Sequence, residues 1–467
     1  MPFFHKYLIP YYIVFGLLCL LCSSHILFWD TYQLCGKQAW ALYDTSLFNW
    51  ILPAEIDSGH PPLFGFYHAV LWRIFSPSLA VSHLAMLPFL CSIVYFYFRL
   101  GVHYLDAKRA IFLLPLLLVD SVFMGQSTLV SPDLILLCCM LMCWLGIVQK
   151  SNHFVWIASV GLGLISMRGM MVLAALVMFE FFILLSSQSY KARIVHMPKY
   201  APAILLVITF LSFHYIKTGW LGHHEDSSWS ESFDYVNTVG VLKNIAVYIW
   251  RLFDFGRVFL IASLTYLGYR YYSSIRKSEA KELVGILSFF ILVISPILLA
   301  HKGLVLHRYL LPIFLTLSIL FWYLLFSLTI HNKIRNGIWF FVVFSMLAGN
   351  LWVYPRQISQ GWDSTLGHLP YYHLREKMMA YLDQENIHLH EVGTAFPNIG
   401  PLKYYDPSKN KPGFSEYDLD RDDYIFYSNI YNDFTDEELD RLVSEEWIPQ
   451  KSLYFYPVEI VLYKKNR

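Results

Sequence analysis

The chain has 467 residues, 56% of them hydrophobic and 18% aromatic, with a mean hydropathy of +0.45. Asp, Glu, Lys and Arg together make up 15%, against about 25% in ordinary soluble domains. That deficit excludes a soluble globular enzyme and a disordered chain, and a formal net charge of +1 leaves no footprint for nucleic acid. What remains is an all-α polytopic membrane protein.

The few charges are unevenly placed. Residues 355–467 hold 12 Lys and Arg against 19 Asp and Glu, a net of −7, and residues 1–354 carry the compensating +8. The sequence therefore reads as a membrane domain, 1–354, followed by a polar C-terminal domain, 355–467. Six of the seven cysteines lie in apolar runs and the C-terminal domain has none, so no disulfide framework is implied. Cys19 and Cys22 have a metal or redox spacing, but inside an apolar helix they read as plain core cysteines.

In chain order, Tyr7–Trp29 has no acid or base over 23 residues, long enough to cross a bilayer of about 30 Å. It is too long for a signal-peptide core and reads as a retained anchor. Ten more candidate spans follow, near 79–98, 110–127, 134–149, 154–167, 169–187, 200–216, 257–273, 283–300, 309–330 and 337–354. Segment 61–75 is short and carries Arg73. Treated as an interfacial helix, it leaves 14 Lys and Arg on one side: Lys6, Arg99, Lys108, Arg109, Lys150, Lys191, Arg193, Lys199, Arg270, Arg276, Lys277, Lys281, Lys333 and Arg335. The positive-inside rule makes that side cytoplasmic. Eleven crossings then put 355–467 outside, in the periplasm or its equivalent, together with the acidic connection from Asp30 to Arg73 and the loop 217–256.

The C-terminal part mixes signals. Leu369–Leu382 reads as an amphipathic helix. Thr435–Val443 reads as a helix with Thr435 as N-cap and Glu438 at the capping-box position. Tyr424–Tyr427 and Leu453–Tyr463 alternate like strands. A small α/β soluble domain is expected. No solenoid repeat or low-complexity run is present.

Several residues stand where chemistry could occur. Asp30 follows the first span. Asp57-Ser-Gly-His60-Pro61-Pro62-Leu63 precedes the interfacial helix, and its paired prolines exclude regular helix before Leu63. Ser131-Pro132-Asp133 opens the fourth span. Met167-Arg168-Gly169 lies between the fifth and sixth, and His307-Arg308-Tyr309-Leu310-Leu311-Pro312 enters a late one. The four motifs that follow Asp30, in order and on one membrane side, resemble those of the GT-C glycosyltransferases. The nearest group comprises the protein O-mannosyltransferases, the lipid A aminoarabinose transferase and the rhizobial lipopolysaccharide glycosyltransferases. The resemblance covers about 1–330.

It implies a GT-C fold with interfacial helices in the first outer loop. It also implies transfer of a sugar from a polyprenyl-phosphate donor to a lipid, glycan or protein acceptor on the outer face of a bacterial inner or plasma membrane. Asp30 would act on the acceptor hydroxyl, and Asp133 would position Asp30 or the acceptor. Asp57, His60, Arg168, Arg308 and Tyr309 would line the donor. The residue chemistry agrees: a departing lipid phosphate carries negative charge, which guanidinium groups stabilise best. Arg251 and Arg257 lie at similar depth.

Plain structural readings stand beside these. Arg168 and Arg308 also fit interfacial anchors, Tyr309 an aromatic belt, and His60 a turn residue. His223-His224-Glu225-Asp226 looks metal-like but lacks a distant ligand. A divalent metal stays open, with no complete ligand set visible. Asp418-Leu-Asp420 sits in an acidic surface run. Asp120 and Glu180 are ionisable groups inside spans, a functional flag by default. Gly361-Trp362-Asp363 and His368–Tyr372 follow the last span and suit a membrane-surface seat. Two other functions are open at this point: a polymerase or ligase acting on polyprenyl-diphosphate glycans, and a lipid-linked sugar transporter. The transporter predicts inverted repeats and interrupted spans, which the sequence does not display.

Overall fold

A computed structural model describes residues 5–187, 197–226, 230–275, 279–355, 358, 360–431, 433–444 and 446–466. Of the basic residues used to assign sidedness, Lys191, Arg193, Arg276 and Lys277 lie outside the described residues. All eleven apolar stretches are helical over most of their length. Leu79–Tyr104, Pro198–Thr218, Ala280–Ala300, His307–Ser327 and Asn332–Leu351 are each long and apolar enough to cross a bilayer. Ala107–Val119 and Ser121–Ser127 make a sixth, bent by 69°. Lys6–Leu21, Pro132–Val148 and Asn152–Ile165 are apolar but shorter. Large apolar side chains such as Leu17, Leu205, Leu292 and Phe344 stay more than half exposed, as a lipid-facing surface allows. The protein is a multi-pass membrane protein.

The bend has a local cause. Asp120 breaks the helix, with ψ at 109°, and its side chain accepts from the Phe123 amide at 2.9 Å as N-cap of the next turn. The His307–Ser327 helix is central, with 89% of its apolar window buried, against 17% for Pro198–Thr218. A helix that is apolar all round belongs in the middle of a bundle.

The first span ends earlier than its composition suggests. Its helix runs His5–Leu21, not to Trp29. Ser23 donates its hydroxyl to the Leu20 carbonyl at 2.7 Å, the kind of local bond that competes with helix. Residues 25–28 carry no regular structure, and the Leu27 amide donates to the Tyr405 carbonyl at 2.8 Å. Asp30 then begins a helical turn that leads into the π-helix Tyr32–Lys37 and the helix Gln38–Asp44. The interfacial helix is Leu63–Ile74, starting directly after the two prolines.

The C-terminal module carries five strands: β1 Val392–Thr394, β2 Ser415–Glu416, β3 Tyr424–Ser428, β4 Trp447–Phe455 and β5 Val458–Lys465. Their order is β2-β1-β3-β5-β4, with β1 parallel to both neighbours and the other pairs antiparallel. The helix Pro370–Gln384 buries Tyr371, Leu374, Met378 and Leu382, the spacing of one helical face. These join Ile425, Phe426, Ile460 and Leu462 in one apolar core. Thr435 and Glu438 form the expected capping box for Asp436–Leu442. The stretch 453–463, expected as one strand, is instead the turn of the β4–β5 hairpin at Tyr456-Pro457 with strand on each side. Proline cannot donate to a ladder, so it marks the turn.

This module sits on the connection between the first helix and Leu63–Ile74. Tyr32 donates to the Ile399 carbonyl at 2.8 Å and Trp40 donates to the Lys403 carbonyl at 2.8 Å. Tyr32 and Tyr405 stack with centroids 4.6 Å apart, and His25 and Tyr372 at 4.0 Å. Gly36 permits the approach: a Cβ there would lie 2.1 Å from the Tyr404 carbonyl oxygen.

Candidate functional site

Two arginine–aspartate pairs converge on Tyr309. Arg168 Nη2 lies 2.7 Å from Asp133 Oδ1. Arg308 Nη2 donates to Asp30 Oδ2. The Arg168 guanidinium stands 3.9 Å from the Tyr309 ring centroid and that of Arg308 at 5.1 Å, so one aromatic face orders both cations. The five residues come from four elements. Asp30 starts the turn before the first π-helix. Asp133 is in the first turn of Pro132–Val148, which Ser131 caps through the Asp133 amide at 3.2 Å. Arg168 opens Met167–Ser187, and Arg308 and Tyr309 lie in the 3-10 turn His307–Leu310.

A sixth member comes from the C-terminal module. Asp363 Oδ2 lies 3.4 Å from Arg308 Nε. Its main-chain carbonyl accepts from Gln126 Nε2 at 2.9 Å, and Ser364 Oγ donates to its Oδ1 at 3.0 Å. Gln126 Oε1 in turn accepts from Ser131 Oγ at 2.5 Å. A polar chain thus runs from the module to the helix that carries Asp133. Sequence reasoning placed Asp363 only in a membrane-surface seat. An acid just past the last span, flanked by Gly361 and Trp362, was the available signal.

Two buried atoms in this cluster have no hydrogen-bond partner: Arg308 Nε, a donor, and Asp133 Oδ2, an acceptor. Buried polar groups are nearly always satisfied. Among the described residues these two atoms thus keep hydrogen-bonding capacity in reserve, a donor on one Arg–Asp pair and an acceptor on the other.

His60 borders the cluster. Its Nδ1 accepts from the Met167 amide at 3.4 Å, which leaves Nε2 as the N–H donor of a neutral ring. Burial first, and then the Arg168 charge, push its pKa down to about 4. Gly59 makes the turn possible. It has φ of +71° and a Cβ there would meet the Gly222 carbonyl oxygen at 1.9 Å.

Asp57 stands apart from the cluster. Its Oδ2 lies 2.9 Å from His214 Nε2 and its Oδ1 accepts from the Gly59 amide at 2.8 Å. Both oxygens serve the loop that aims His60, and burial raises its pKa despite these bonds. Asp120 and Glu180, flagged as intramembrane acids, are both paired. Arg257 Nη2 reaches both oxygens of Asp120 at 2.7 Å. Glu180 is 2.5 Å from Lys199 Nζ and accepts from the Tyr200 hydroxyl at 2.6 Å. Arg251 lies 3.8 Å from Asp254.

Asp254 anchors a network that sequence reasoning missed. His307 Nε2 is 2.8 Å from its Oδ2, and the Tyr354 hydroxyl donates to its Oδ1. Burial alone would raise this carboxyl, but the bonds from His307 and Tyr354 win and hold it below its usual range. His307 precedes Arg308, so this network fixes the backbone from which Arg308 projects.

The metal-like run does not assemble. His223 stacks on Phe233 at 5.1 Å, and His224 Nδ1 is 3.5 Å from Asp226. Among the described residues no group of three or more His, Cys, Asp or Glu side chains is placed to hold a metal ion. Asp420 pairs with Arg441 at 2.7 Å and Asp418 with Arg421 at 3.4 Å, away from this site.

No family model matches the chain, and no curated protein does. Solved structures do. The crystal structure of ArnT from Cupriavidus metallidurans bound to undecaprenyl phosphate aligns with a TM-score of 0.55 at 10% identity, covering 96% of this chain and 97% of that one. The same protein in the apo state aligns with a TM-score of 0.54 at 10% identity, with the same coverage of both chains. Over nearly its whole length, this chain shares the fold of ArnT, a GT-C aminoarabinose transferase.

Proposed function

We propose that this protein is an integral-membrane glycosyltransferase. It moves one sugar from a polyprenyl-phosphate carrier to a hydroxyl of a lipid, glycan or protein acceptor, on the outer face of the membrane. The observation that carries this reading is the Tyr309 cluster. Two Arg–Asp pairs meet there, with one unmet donor at Arg308 Nε and one unmet acceptor at Asp133 Oδ2. A phosphate oxygen suits the first and a sugar hydroxyl the second. The ArnT crystal structure with undecaprenyl phosphate adds support from the fold.

The chemistry follows from the residues. The acceptor oxygen attacks the anomeric carbon as the bond from that carbon to the phosphate oxygen breaks. The electron pair leaves with the phosphate, where Arg308, Arg168 and the neutral His60 Nε2–H stabilise the developing charge. The proton of the acceptor hydroxyl passes to Asp30, which is 18% exposed and so the more accessible carboxylate of the two pairs. Asp133 orients the sugar through its free oxygen. A single displacement inverts the anomeric centre, and no carboxylate nucleophile is required.

The test is Asp30→Asn in membranes supplied with a labelled polyprenyl-phosphate sugar. Transfer is expected to fall by about 100-fold or more, with the helical fold retained by circular dichroism. Undiminished transfer by that variant removes the assignment.

A further inference from the structure

The charges around Tyr309 do not balance. Arg168 and Arg308 face three carboxylates, Asp30, Asp133 and Asp363, and the further cation that acts on Asp363, Arg251, has its own carboxylate in Asp254 at 3.8 Å. An anionic phosphate entering this site meets a surplus of negative charge. Something must yield, and the geometry identifies what can.

Asp30 and Asp133 each sit on the end of an arginine fork. Asp363 sits on the Nε edge of Arg308 at 3.4 Å, and that N–H makes no hydrogen bond to it. It is an ion-pair neighbour rather than a bonded partner. It also has independent support. Ser364 Oγ holds its Oδ1 at 3.0 Å and Gln126 Nε2 lies 3.5 Å from its Oδ2. The carboxylate keeps polar company when Arg308 turns away. Asp30 and Asp133 have no such reserve among the bonds of the described residues, apart from their arginines.

We propose that Asp363 is a positioning residue. It acts as the counter-ion of Arg308 while no phosphate is bound, gives up the guanidinium when the donor phosphate arrives, and reclaims it when the carrier phosphate must leave. The inference rests on the reading of this cluster as a phosphate site. A residue that competes with the ligand for its receptor group lowers apparent affinity by the fraction of time it holds that group. The gain is turnover: a site with free arginines would keep the product lipid phosphate.

The test uses the full chain in nanodiscs and undecaprenyl phosphate alone as probe. The variants are Asp363→Asn, Asp363→Glu and Asp363→Ser, with Arg308→Met as control. Asp363→Asn and Asp363→Ser are expected to bind the lipid phosphate about five- to tenfold more tightly than the native chain, since one opposing charge is gone. Asp363→Glu should bind like the native chain, and Arg308→Met should lose binding. In the transfer assay, Asp363→Asn should slow the steady state more than it slows the first turnover. A merely structural role would weaken binding and the first turnover together. Unchanged or weaker binding in both Asp363→Asn and Asp363→Ser, with binding still lost in Arg308→Met, overturns the counter-ion role and leaves the phosphate site standing. Equal binding by the native chain and Arg308→Met overturns the phosphate site and this proposal with it.

Discussion

Arg168, Arg257 and Arg308 are each met by a carboxylate from another element of the chain. Arg257 and Asp120, 2% and 0% exposed, show the energetic side. Removing one partner of a buried pair leaves an unpaired charge, at about 3–5 kcal/mol, whereas replacing both with apolar groups is often neutral. Arg257→Met should therefore lower the thermal midpoint of the detergent-solubilised protein sharply, and Asp120→Leu/Arg257→Met should recover most of it. Equal melting of single and double variants would contradict that account.

Protonation gives a second residue-scale expectation. His60 and His368 both have pKa values pushed down to about 4, in each case chiefly by burial, from an ordinary 6.5. The unfolded chain thus binds protons that the folded chain refuses between these values. Their contribution is intact above pH 6.5 and is lost as pH falls toward 4. The melting midpoint should drop between pH 7 and pH 5, and His368→Gln should flatten that slope. The rare charges made Asp30, Asp133, Arg168 and Arg308 legible in the sequence, because an ion in an apolar chain needs a reason. Their partners were not legible, since Asp30 meets Arg308 across 278 positions. Asp57 was read as donor-facing because it adjoins His60, but His214 claims it from the Pro198–Thr218 helix.

At the scale of elements, hydropathy located the apolar helices and the capping box located Asp436–Leu442. Ends and breaks were harder. Ser23 closes the end of the first helix, and Asp120 bends another, through side-chain bonds that a hydropathy average does not register. Strands β1 and β2 have three and two residues, too short to show alternation. Close backbone approach likewise leaves little trace beyond a glycine. Gly36→Leu would press a side chain into the Tyr404 carbonyl. That variant should loosen the module from the connection after the first helix, seen as faster cleavage near residue 355 under limited proteolysis and as reduced transfer. Native-like protease resistance would refute the role of that contact.

For the whole molecule, the order of motifs along the chain carried the fold, and the ArnT structures share it at 10% identity. Sidedness has its own check. Phe48 is 84% exposed in the connection after the first helix, which the charge pattern predicts to lie outside. In a bacterial inner membrane, Phe48→Cys should react with a membrane-impermeant maleimide added outside intact spheroplasts. Reaction only after lysis would invert the topology.

The seam between the connection after the first helix and the C-terminal module also has a consequence in time. Tyr32 waits for Ile399 across 367 positions and Trp40 for Lys403 across 363. At about 5–20 residues per second of synthesis, roughly 20–70 s separate the two halves of each contact. Asp363 is likewise among the last residues of the centre to leave the ribosome. The nascent chain therefore inserts its helices without a complete centre. Whatever chemistry that centre performs begins only after Asp363 has been made and has reached Arg308.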